Sequence, residues 1–233
     1  MLCFRADGKL YMLGGYGLAT DNALVWYYDF AASRWGSVTP YGSKRLPSRQ
    51  HQSLALHGDT IYAFGGRSGA DIFNDVCSYD ISDNAWSTYS PEGSKPSSRW
   101  GHSAVVYKDT MFVFGGLANG KASAETWGFD LKKNVWMDLT PSYSPPARFS
   151  HTIAVLEDSM FLYGGIGDAN KLEDSWKYDF DYNLWTKIEP SSTLGASSAR
   201  SETGLAAYDN TLYIFGGAGA KRAYEDLWSL AVY

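Results

Sequence analysis

The chain has 233 residues, of which 45% are hydrophobic and 16% aromatic; glycine is abundant and only 19% of side chains are charged. That balance fits many short strands joined by tight turns, and excludes disorder and long polar helices. The net charge of -5 gives no general affinity for nucleic acid, because neutralising phosphates needs a basic surface.

The N-terminal stretch MLCFRADGKLYMLGG lacks the basic-then-apolar order of a secretion signal, and no run is apolar for long enough to suggest a membrane span. The expectation is a cytoplasmic protein with no membrane contact. Cys3 and Cys77 belong to no spaced pair and are expected to be structural thiols, neither bridged nor metal-bound.

Along the chain the first recurring element is an alternating apolar segment closed by a glycine pair: KLYMLGG, TIYAFGG, TMFVFGG, SMFLYGG and TLYIFGG, with pairs beginning at Gly14, Gly65, Gly115, Gly164 and Gly216. The intervals of 51, 50, 49 and 52 residues indicate a repeat architecture. About ten residues later comes a second strand signal, LVWYYD, DVCSYD, TWGFD, DSWKYD or DLWSL, with Trp26, Trp127, Trp176 and Trp228 in one column and Cys77 in place of the fifth. A polar turn then leads to a segment headed by Trp35, Trp86, Trp136 or Trp185, for which the last unit has no counterpart. An arginine precedes each of the last four glycine pairs by sixteen residues, at Arg49, Arg99, Arg148 and Arg200, and a further strand lies between, as in HSAVVYK and HTIAVLE. Each unit therefore reads as a four-stranded antiparallel meander, and such sheets must stack to cover their apolar faces.

The spaced Arg, the Gly pair, the Tyr-Asp that closes the third strand and the Trp of the fourth resemble the kelch-repeat family across essentially the whole chain. The resemblance implies an all-β, kelch-type β-propeller of four-stranded antiparallel blades, four full and one partial, at about 1–40, 41–90, 91–140, 141–190 and 191–233. It also implies that the Arg-bearing strand is innermost and that the four strand-heading tryptophans pack between blades. Two readings of the partial blade stay open: a fragment of a longer propeller, or an unusual five-bladed ring.

Strand reversal puts the loops before the arginines and after the glycine pairs on one face. Lys44, Arg45, Arg67, Lys95, Lys121, Lys171, Lys221 and Arg222 add charge there. The expected partner-binding residues are Arg49, His51, Arg99, Trp100, Arg148, Phe149, Arg200 and Glu202. A guanidinium forks onto carboxylates, and an aromatic beside it makes a binding hot spot. Against this, repetition in phase favours arginines that pair with Asp75, Glu125, Asp174 and Asp226 and only shape the blade. The opposite face gathers the acidic turns, among them Asp7, Asp59, Asp80, Asp83, Asp109 and Asp209.

No nucleophile elbow, phosphate loop or metal-ligand spacing is present, so no catalytic residue, metal or cofactor is expected. The function expected is a protein-interaction scaffold that binds an acidic or hydroxyl-rich segment of another protein on the Arg-lined face. The alternatives are a kelch-fold enzyme acting on a small molecule or sugar with Glu202 as acid-base group, and a structural subunit of a larger assembly.

Overall fold

A computed structural model describes residues 2–15, 24–41, 48–189 and 198–232; of Leu2–Ala6 it describes the backbone alone. Among these residues there is no helix, and so none long and apolar enough to cross a membrane. Four sheets are four-stranded antiparallel meanders in chain order. They comprise Leu2–Ala6, Lys9–Leu13, Val25–Asp29 and Arg34–Val38; Ser53–His57, Thr60–Phe64, Val76–Asp80 and Ala85–Tyr89; Ser103–Tyr107, Thr110–Phe114, Thr126–Asp130 and Val135–Asp138; and Thr152–Leu156, Ser159–Tyr163, Ser175–Asp179 and Leu184–Ile188. The fifth has three strands, Gly204–Tyr208, Thr211–Phe215 and Leu227–Ala231.

The first strand of each sheet packs against the first strand of the next, so these strands are innermost and the sheets radiate from them as blades. Turn chemistry sets the register. Between the third and fourth strands an aspartate closes an Asx turn: the Oδ1 atoms of Asp80, Asp130 and Asp179 accept the amides of Asp83, Lys133 and Tyr182. Asn84, Asn134 and Asn183 then take the left-handed conformation that asparagine tolerates.

The cores lie between blades. Tyr11, Leu13 and Val25 of the first blade close on Leu54, Ile61, Cys77, Tyr79 and Trp86 of the second. Trp136 reaches back to Phe64 (ring centroids 4.8 Å apart) and Trp185 to Phe114 (5.0 Å), so each buried outer tryptophan seals the joint with the preceding blade. Trp185 is 1% exposed and donates from Nε1 to Thr126 Oγ1 at 3.2 Å. Trp35 departs from this pattern: it is 51% exposed and packs edge-on against Tyr28 of its own sheet, because among the described residues no sheet lies on that face. Cys77 is buried and free, its thiol pushed up to about 12 by burial and by the neighbouring Asp75 carboxylate.

Candidate binding surface at the channel mouth

The four repeated arginines are at most 2% exposed. Each reaches across its own blade to the carbonyl of the first glycine of the pair, sixteen residues on, and to a carboxylate 26 residues on. Arg148 is representative: Nη1 donates to Gly164 O at 2.9 Å, Nη1 and Nη2 donate to the two Asp174 oxygens at 2.7 Å each, and Nε donates to Pro146 O at 2.9 Å. The third-strand tryptophan braces the acid: Trp127, Trp176 and Trp228 donate from Nε1 to Glu125, Asp174 and Asp226. Cys77 takes that place in the second blade, its Sγ 3.5 Å from Asp75 Oδ2, while the Phe73 ring covers Arg49 at 4.0 Å. Burial alone would raise these carboxyls, but hydrogen bonds from the arginines and tryptophans outweigh it and hold Glu125 and Asp174 below their ordinary values.

The arginine-lined face expected of Arg49, Arg99, Arg148 and Arg200 is therefore corrected. Their guanidinium groups are committed to carboxylates and carbonyls inside the blades, with only Arg49 Nε lacking a partner, and they present no open charge to a partner. The in-phase acids at 75, 125, 174 and 226 carried the signal for this pairing.

The glycine pairs join the blades through main chain. The second glycine donates to the carbonyl of the next blade's arginine: Gly66 to Arg99 at 2.9 Å, Gly116 to Arg148 at 2.8 Å and Gly165 to Arg200 at 2.9 Å. A Cβ on Gly115 would stand 2.6 Å from Arg148 O, and φ there is +66°, so the site is closed to any side chain.

At the mouth of the channel, the residue two places after each arginine forms a second linked row. His51, Gly101, Ser150 and Glu202 all adopt positive φ, between 53° and 67°. Gly101 N–H donates to His51 O (3.0 Å), Ser150 N–H to Gly101 O (2.6 Å) and Glu202 N–H to Ser150 O (3.0 Å), so one chain of backbone bonds crosses four blades. Three residues other than glycine held in this conformation mark over-determined backbone.

On this rim the remaining expected residues do come together. His51 and Trp100 rings lie 5.2 Å apart, and Trp100 meets Phe149 edge-on at 5.4 Å. The Arg67 guanidinium, which sequence reading counted only among nearby charges, sits 4.4 Å over the Trp100 ring. Burial pushes His51 below its ordinary range, Arg67 adds to the effect, and Glu202 opposes it. Glu202 is exposed at the end of the backbone row. Lys171 is committed to Ser201 Oγ (3.0 Å) and Ala218 O (2.5 Å). Lys44 and Arg45 lie outside the described residues. Behind the rim a cavity of about 360 Å³ is walled partly by His102 and His151. No group of three or more His, Cys, Asp or Glu able to hold a metal occurs among the described residues.

Comparison with known proteins agrees with the blades. Residues 118–233 match the family described as the KLHDC2/KLHL20/DRC7 Kelch-repeats domain, and residues 69–146 match the Attractin/LZTR1 beta-propeller. The chain belongs to the kelch-repeat β-propellers. Kelch relatives include the Rab9 effector protein with kelch motifs of Gallus gallus, 33% identical over 97 residues, which are 40% of this chain and 26% of that protein. Alpha-scruin of Limulus polyphemus is 34% identical over 102 residues, 40% of this chain and 10% of its own length. An F-box/kelch-repeat protein of Arabidopsis thaliana is 31% identical over 85 residues, 35% of this chain and 17% of its own. Each match thus spans roughly a quarter or less of the relative's length.

Proposed function

We propose that this propeller is a protein-interaction module whose contact surface is the channel mouth around His51, Trp100 and Phe149, flanked by Arg67 and Glu202. Kelch-repeat propellers commonly mediate protein–protein interaction. The observation that carries the assignment here is the continuous row His51–Trp100–Phe149 with Arg67 stacked on it. The row breaks the repeat: the columns that hold Trp100 and Phe149 hold Gln50 and Ser201 in the neighbouring blades. Half-buried aromatics beside a guanidinium supply large contact area at low side-chain entropy. Arg67 supplies the charge that would receive an acidic or hydroxyl-rich segment.

The test is a displayed peptide library selected on the chain and counter-screened on Trp100→Ala. Acidic or Ser/Thr-rich peptides should be enriched and should lose about tenfold or more in affinity on Trp100→Ala, as expected for an interface anchor. The variant's unfolding midpoint should stay near that of the parent. Peptides that bind Trp100→Ala as tightly as the parent, or no enrichment at all, would refute the assignment.

A further inference from the structure

The fifth blade has three strands where the other blades have four, so among the described residues its third strand, Leu227–Ala231, is an edge. Val232 N–H donates to Asn210 O and Gly216 N–H to Asp226 O. That alternation turns the amides and carbonyls of Leu227, Ser229 and Ala231 outward, away from Thr211–Phe215. At the same stations of the fourth blade, Ser175, Lys177 and Asp179 face Ile188, Thr186 and Leu184 of an outer strand.

Natural sheets guard an open edge with charge, proline or a bulge. The outer strands of the first, third and fourth blades carry Arg34, Asp138 and Lys187. Leu227–Ala231 reads LWSLA, unbroken in register and without charge or proline.

Burial shows that a side chain is missing along with the strand. In the second, third and fourth blades an aromatic residue of the third strand stands opposite the outer tryptophan. The pairs are Tyr79 with Trp86, Phe129 with Trp136 and Tyr178 with Trp185, their ring centroids 5.4, 5.0 and 4.9 Å apart. Under that cover Tyr79, Phe129 and Tyr178 are at most 1% exposed. Leu230 stands in their column, opposite the buried Leu212, yet is itself only half-buried. Trp228 is likewise half-buried where Trp127 and Trp176 are buried, and Leu227, in the column of Ser175, is 63% exposed.

We infer that the edge of the fifth blade takes its fourth strand from a partner protein, as an extended antiparallel segment with tryptophan opposite Leu230 and an apolar residue three places on, opposite Leu227. The chain's own outer strands define that pattern through Trp35 and Val38, Trp86 and Tyr89, Trp136 and Leu139, and Trp185 and Ile188. Every described strand of this chain already has its place in a sheet, so the occupant belongs to another chain. Main-chain bonds to Leu227, Ser229 and Ala231 supply affinity, and the tryptophan closing over Leu230 supplies selectivity.

The test is an NMR titration of the chain with the blocked hexapeptide Asn-Leu-Trp-Thr-Lys-Ile, which copies residues 183–188. The amides of Leu227, Ser229 and Ala231 should shift and gain protection from hydrogen exchange, and the indole should show contacts to the Leu230 methyls. Replacing the peptide's tryptophan with alanine should weaken binding about tenfold or more. Methylating the amide of its threonine, the residue placed opposite Ser229, should do the same by breaking the ladder while every side chain stays. In the protein, Ser229→Pro removes an outward N–H, a change that an edge strand tolerates, and should abolish the shifts. Equal affinity of either altered peptide, shifts that persist in Ser229→Pro, shifts confined to the outer strands of other blades or to the rim of Trp100, or no shift at millimolar peptide would each overturn the inference. Trp100→Ala should leave this binding intact, so failure of one surface is read separately from failure of the other.

Discussion

Arg148→Met isolates what the repeated arginine does. The side chain is fully buried and holds two carbonyls, Pro146 O and Gly164 O, and both oxygens of Asp174, whose side chain is only 19% exposed. Methionine keeps most of the volume but leaves a largely buried carboxylate without its cation and two carbonyls without a donor. Removing one partner of such a pair costs about 3–5 kcal/mol, far more than the median surface ion pair. Urea unfolding followed by tryptophan fluorescence should therefore show a loss of that size in Arg148→Met, and a large share should return in Arg148→Met with Asp174→Leu, where no orphaned charge remains. A loss below about 1 kcal/mol in the single variant, the range of a solvent-exposed pair, would show that the guanidinium is not the strut described here.

His102 and His151 are buried beneath the rim; burial, with Arg99 beside one and Arg148 beside the other, depresses both, His102 to about 3. A folded value below the unfolded value of about 6.5 means that stability is complete above pH 6.5 and is lost as pH falls toward 3, so His102 alone should cost about 2 kcal/mol by pH 5. His102→Gln, which installs the residue found at Gln52 in the second blade, should flatten the decline of the urea midpoint between pH 7 and 5; an unchanged slope would contradict this. Gly115→Ala forces a Cβ to 2.6 Å from Arg148 O and should lower the melting temperature well beyond Gly58→Ala, where φ is also positive but no atom lies within 4 Å; equal effects in calorimetry would dismiss the close-approach argument. Trp185→Ala should cost about 3–5 kcal/mol and Trp35→Ala under about 1 kcal/mol, because one ring is sealed in a blade joint and the other is half in solvent; matching losses in the same denaturation assay would refute that packing.

The strands were legible because a meander buried on both faces repeats its apolar columns, and their placement by glycine pairs and tryptophans agrees with the sheets observed. The arginines were legible as a column, and the in-phase acids 26 residues on signalled their pairing; what the sequence left undecided was whether a binding face or the blade claims the guanidinium, and the folded blade buries it. His51, Trp100, Phe149 and Glu202 stood out because they break the repeat, and they do share one rim. The stacking of Arg67 on Trp100 depends on the bridge between Gln50 and Arg67, a pairing that no local pattern signals.

The backbone row through His51, Gly101, Ser150 and Glu202 has a further consequence. Its bonds run between amides and carbonyls, so the frame of the mouth is indifferent to which side chains stand on it, provided each residue tolerates a left-handed turn. An imidazole, a hydrogen atom, a hydroxymethyl and a carboxylate already occupy the same station in four successive blades without altering its outline. Geometry and chemistry at the mouth are thereby uncoupled, and a designer could rewrite what this surface recognises one blade at a time while the blades beneath keep their shape.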